Sequence, residues 1–204
     1  MCQNGFQAAR GDMMSILILG LVIFIGTHLV STLRETRTAL IVKHGAGTFK
    51  GVYAIASLIG LGLIIWGFSL YRANGMIALW HPPSWTRHLA LALMWFAFVA
   101  LTSAYAPQGR IKGWLRHPML VAVKIWALAH LLANGDLGGL LLFGALLAFA
   151  VYDRIALKRR GDAGAARLGE FTRGDAIAVG VGTAAYVAML FLHPWLIGVA
   201  VIGR

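Results

Sequence analysis

The sequence predicts an all-α, polytopic integral membrane bundle of about six transmembrane helices. Hydrophobic residues make up 59% of the 204-residue chain and charged residues only 12%, about half the share of an ordinary soluble domain. Six apolar runs approach the roughly 20 helical residues that cross a bilayer core. The basic residues fall between those runs, where membrane topology places them.

The opening residues, MCQNGFQAARGD, are polar and lack the apolar run and small-residue cleavage site of a secretory signal ahead of Met14. Residues 1–13 are therefore expected to be a non-core extension carried by an extended start, with residues 14–204 as the transmembrane domain. Lipid attachment at Cys2 is the alternative. The single cysteine excludes an internal disulfide and a cysteine metal cage.

The first span is expected over 14–33, where the run after Met14 can act as an uncleaved signal anchor, and the second over 52–71. The third covers 87–105, after the prolines of WHPPSW. The fourth, 117–134, opens on His117-Pro118, where proline suits the first helical position. The turn ANGDLGG leads into the fifth, 137–155, as an antiparallel neighbour. The sixth covers 174–192. The tail HPWLIGVAVIGR then starts with a proline break and either lies at the interface or folds back. Gly135 and Gly139, one turn apart, are candidates for close helix packing.

Thirteen basic residues lie in segments 34–50, 106–116 and 153–173, against Arg10, Arg72, Arg87 and Arg204 on the other side. The positive-inside bias puts the three segments in the cytoplasm and both termini on the outer side of the membrane. The formal net charge of +11 is thereby read as topology, with the lipid bilayer as partner and no nucleic acid. No phosphate-cradling glycine loop, nucleophile with its base, or Cys/His zinc spacing is present. No clear internal repeat and no carboxylate well inside a span speaks for transport. A nitric oxide reductase would need further histidines at membrane depth.

The seven histidines sort by their neighbours. His81, His117 and His193 precede proline and are read as markers of helix ends. His44 falls in a basic loop and is expected to be solvated, and His88, beside Arg87, sits at headgroup level. His28 and His130 lie well inside spans, where an ionisable group is by default a functional hypothesis. Either they hydrogen-bond across helices, or they hold heme iron axially from two helices. At 1.5 Å per residue, His28 lies about 7 Å to the cytoplasmic side of its span's midpoint and His130 about 7 Å to the outer side. The pairs His28 with His117, or His130 with His88, are the reserve. His117 and His130 stand about 140° apart around their helix. Asn134, one turn after His130, either fixes the tautomer of that histidine or opens the turn to the fifth span. Lys124, two turns after His117 on the same face, either pairs with a cofactor carboxylate such as a heme propionate or snorkels toward the surface.

Five segments, LILGLVIFIGTHLV, FKGVYAIASLIGLGLIIWGF, LWHPPSWTRHLALALMWFAFVAL, RIKGWLRHPMLVAVKIWALAHLLANGD and LLFGALLAFAVYDRIALKRR, together resemble the NnrU family of bacterial membrane proteins. The fourth carries most of the specificity, because its polar residues are improbable together inside a span. The family is related to the plant zeta-carotene isomerase, a heme b enzyme. The isomerase has an early-span histidine in a setting like THLVSTLR and a histidine pair thirteen residues apart, like His117 and His130. By that likeness its proposed axial ligands fall on His28 and His130, and its further thiolate ligand on Ala127, where cysteine chemistry is absent.

The resemblance implies a heme b protein tied by name to denitrification, acting in nitrogen-oxide metabolism as a sensor of NO or a redox component. A redox-gated cis-trans isomerase of a carotenoid-like polyene is the alternative. A cofactor-free membrane assembly factor is the third.

Overall fold

The computed structural model describes the backbone of residues 2–202 and the side chains of residues 14–202. Cys2 and the extension expected over 1–13 therefore lie outside the described side chains. Among the described residues eight helices follow in order: α1 (Cys2–Thr32), α2 (Arg34–His44), α3 (Ala46–Ala73), α4 (Ser84–Tyr105), α5 (Arg110–Leu115), α6 (Pro118–Ala133), α7 (Leu137–Arg159) and α8 (Arg173–Ile197). Among the described residues, Met14–Thr32 of α1 and the whole of α3, α4, α7 and α8 are long and apolar enough to cross a membrane, and α6 is a shorter apolar helix. The protein is all-α and polytopic.

Sixteen residues give α6 a length of about 24 Å, short of a hydrocarbon core of roughly 30 Å. Its start is fixed where the sequence predicts, at Pro118. Arg116, at φ 63, breaks the chain between α5 and α6. The segment 34–50, expected to be a connection, contains α2 and the first turn of α3. Gly45, at φ 84, separates these two helices, an angle that glycine adopts without a Cβ clash. His44 is exposed at the end of α2, as expected.

The chain divides into two compact units, Met1–His81 with Asn134–Phe149, and Pro82–Ala133 with Ala150–Arg204. In the first unit, α1 packs against α3 along a glycine seam. A Cβ on Gly20 would stand 2.6 Å from the Ile64 nitrogen, one on Gly60 2.7 Å from the Phe24 nitrogen, and one on Gly67 2.5 Å from the Leu17 nitrogen. Leu17, fully buried, and Ile64 fill the seam, while Val22, Leu58, Ile59 and Trp66 point outward in the pattern of a lipid-facing surface. Without water to expel, helices in lipid gain mainly from such close packing.

At Gly139 a Cβ would meet Asp136 and Asn134 of the turn and not another helix. The Gly135 carbonyl accepts from the amides of Leu79 and Trp80 at 2.7 and 3.1 Å. The Gly139 amide donates to Asp136 Oδ1 at 2.8 Å, which caps the start of α7. Close approach is needed instead at Gly138, where a Cβ would enter the Tyr71 ring. The Tyr71 hydroxyl in turn accepts the Ile77 amide at 2.8 Å and anchors the loop before α4.

In the second unit, α4 packs against α6 and α8. The contact residues are small, with Ala97, Ala100, Ala122, Ala127, Ala129 and Ala178 all buried. A Cβ on Gly182 would lie 2.9 Å from Val99 Cα, and Trp95 Nε1 donates to Thr183 Oγ1 at 3.0 Å.

The proline break expected at the end of the sixth span is absent. Pro194 lies inside α8, which continues to Ile197 and ends at Gly198 in the left-handed region. Proline withholds one amide, from the Leu190 carbonyl, and a membrane helix tolerates that loss near its end. His193 is therefore a helical residue and not a helix end. The tail turns back, bringing the Val199 carbonyl to 2.8 Å from His193 Nδ1.

Candidate functional site

His28, in the first unit, is half-buried on α1. Its Nδ1 lies 2.7 Å from the carbonyl of Phe24, one turn earlier. The ring sits among aromatic neighbours from three helices: Phe24 at 4.3 Å between centroids, Tyr53 of α3 at 5.4 Å and Phe149 of α7 at 5.9 Å.

His130, in the second unit, repeats the local arrangement. Its Nδ1 lies 2.8 Å from the carbonyl of Trp126, again one turn earlier, and the two rings are 5.0 Å apart. A carbonyl only accepts, so each contact requires Nδ1–H and leaves the lone pair of the neutral ring on Nε2. A metal-binding histidine often holds Nδ1 on an acceptor in this way and coordinates through Nε2. Each of the two histidines, taken by itself, thus has the donor chemistry that a heme iron accepts. Among the described residues no group of three or more His, Cys, Asp or Glu side chains is arranged to hold a metal ion. Iron already held by a porphyrin needs only one or two protein ligands.

Around His130 the second unit adds a residue that the sequence reading set aside. His193 of α8 is close enough to His130 to act on it electrostatically. The His-Pro spacing had suggested only a boundary. Lys124 similarly gains a neighbour in Arg154, near the end of α7, close enough for the two cations to repel. Arg154 Nη1 is buried and has no hydrogen-bond partner among the described residues. Arg154 had been counted only as part of a basic segment. The two cations stand on different helices, and their spacing in sequence gave no signal that they are neighbours.

The other candidates occupy the following positions. His117 stands at the head of α6, its Nε2 3.4 Å from the Asp162 carbonyl and 4.0 Å from the Asp162 carboxylate. His88 is exposed near the start of α4. Asn134 lies past the end of α6, in the turn leading to α7. Ala127 is fully buried on α6. An apolar cleft of about 240 Å³ lies between α4 and α6, lined by residues that include Met94, Phe98, Leu101, Val123 and Trp126.

The family model described as NnrU protein matches residues 16–201. No curated protein and no solved structure matches the chain.

Proposed function

Because the chain belongs to the NnrU family over nearly its whole length, we propose that it is a heme b-binding inner-membrane protein serving nitrogen-oxide metabolism as a sensor or redox component. The observation that carries this reading is the shared tether of His28 and His130. Two histidines on different helices each hold Nδ1 on the carbonyl one turn earlier and direct the lone pair to Nε2. His28 and His130 are the proposed axial ligands, and Lys124 with Arg154 would receive the propionate carboxylates. Phe24 and Tyr53 would shield His28 from water, and Trp126 would shield His130. Heme iron in such a setting supplies one-electron chemistry and, where a histidine is displaceable, binding of NO. The basic segments face the cytoplasm in this reading. A reporter active only in the periplasm, fused at the C-terminus, is expected to be active, and an inactive fusion would reverse the topology.

The test begins with absorption spectra of the detergent-purified protein, oxidised and reduced, and a pyridine hemochrome assay. Sharp reduced α and β bands with about one heme per chain are expected for two nitrogen ligands. His28→Ala and His130→Ala should each lower heme content or convert low-spin iron to high-spin. His193→Ala should do neither. If His193→Ala acts and His28→Ala does not, the ligand pair is wrong. A protein still heme-free after growth with ample heme precursor returns both histidines to helix bridging and favours a cofactor-free assembly factor.

The apolar cleft beside Trp126 favours one second reading, cis-trans isomerisation of a polyene. Its volume is below the roughly 300–1,000 Å³ of common ligand pockets, so it would take only part of a long chain. Conversion of a cis polyene by the reduced, heme-loaded protein would support this reading, and no conversion would remove it.

A further inference from the structure

The second unit carries another cleft, whose lining does not include His130. Between α5 and the segment before α8, a cleft of about 210 Å³ is lined by Arg110, Trp114, Arg167, Leu168 and Gly169. The surrounding framework is tightly constructed. Lys112 Nζ donates to the carbonyls of Ala104 and Ala106 at 3.0 and 2.8 Å, which fixes α5 to the end of α4. A Cβ on Gly113 would collide with the Ala166 carbonyl, so one wall approaches the other as closely as a glycine permits. The Gln108 side chain also donates to the Ala166 carbonyl, at 2.5 Å. The Arg110 guanidinium lies 5.1 Å above the Phe171 ring, a cation–π contact that holds it beside the cleft.

Its depth follows from the ends of the spans. The apolar helix α4 stops at Tyr105 and α8 starts at Arg173, so α5 and residues 167–171 lie where two membrane-length helices end. Tyr105, Trp114 and Phe171 are exposed there at 78%, 75% and 70%. Exposed aromatics beside arginines at the ends of spans mark the headgroup layer. At that depth the cleft would face phospholipid headgroups. No carboxylate is among its lining residues, and Glu170, next along the chain from Gly169, is not one of them. Asp175 is occupied by the amides of Arg110, Ile111 and Thr172.

We propose that this cleft is a binding site for the headgroup of an anionic phospholipid, with Arg110 and Arg167 on the phosphate and Trp114 and Leu168 against the glycerol and upper acyl chain. Basic pockets between the ends of membrane helices suit such headgroups. Charge complementarity commits the site to an anionic lipid over a zwitterionic one, and the exposed aromatic residues commit it to a lipid over a soluble phosphate.

Native mass spectrometry of the purified chain, with phosphatidylglycerol and phosphatidylcholine in equal amounts, tests this. Retention of one phosphatidylglycerol in clear excess is expected, and each arginine removed should lower the preference by about fivefold. Arg110→Gln with Arg167→Gln should bring it near parity, while Lys43→Gln with Lys50→Gln, on another basic segment, should leave it unchanged. If the double variant does not fold, Arg167→Gln alone carries the test with its fivefold loss. Parity in the unaltered protein overturns the proposal. Equal loss in the Lys43 and Lys50 variant would overturn it in favour of a general field of the basic loops. Displacement of the lipid by inorganic phosphate would overturn the lipid assignment.

Discussion

Replacing Asp175 with alanine is expected to release α5 from the start of α8. The carboxylate is buried and accepts three backbone amides: Arg110 at 2.9 Å and Thr172 at 2.8 Å on Oδ2, and Ile111 at 2.7 Å on Oδ1. Two of these are the first amides of a six-residue helix, which has no preceding turn to accept them and is too short to persist by itself. Hydrogen bonds to a charged group contribute about 1.5–3 kcal/mol each, but the freed amides of an exposed segment can find water, so about 3 kcal/mol is a fair total. That corresponds to exchange on the order of 100-fold faster at the α5 amides. Hydrogen–deuterium exchange in detergent, resolved to residues 109–116, reads this against α4 as an internal reference. Asp175→Asn keeps one accepting oxygen and should produce a smaller change, roughly tenfold. Unchanged exchange of α5 in a folded Asp175→Ala protein would refute the latch.

Other perturbations separate packing from ligand binding. Gly67→Val should part α1 and α3 and lower stability by about 1–3 kcal/mol in thermal unfolding, because its Cβ would meet the Leu17 backbone. Gly26→Ala, with nothing within 4 Å, should be neutral or slightly stabilising. A Gly67→Val protein as stable as the parent would show that the seam is not tight. Lys124→Gln with Arg154→Gln should loosen heme retention during purification yet leave the low-spin spectrum of the remaining heme intact. Loss of the low-spin signature in that variant would mean that the cations shape the ligand set and do not merely hold carboxylates.

The membrane class and the number of apolar segments were legible because a bilayer constrains them residue by residue. A crossing segment must be apolar for its whole length, so the runs from 14 to 192 are visible one at a time. The same constraint made His28 and His130 conspicuous, since water-seeking groups are rare at such depth. Pro118 as the start of α6 was readable from the local chemistry of proline. Other local signals misled. Pro194 suggested a stop, but the helix continues through it, because its flanking turns supply the remaining hydrogen bonds. Gly135 and Gly139 had packing spacing but serve a turn and a cap.

The tertiary structure decided what depends on partners distant in sequence. The α1–α3 seam uses Gly20, Gly60 and Gly67, three of 25 glycines, chosen only by which backbone lies opposite. The nearness of Arg154 to Lys124, and of His193 to His130, arises from helix packing that no spacing encodes. Asp175 looks like an ordinary capping residue beside Thr172 until α5 is brought to it across 64 residues of chain. Hydropathy and proline chemistry act along the chain and can be read there. Close approach, charge neighbours and shared hydrogen bonds exist only after the helices have met.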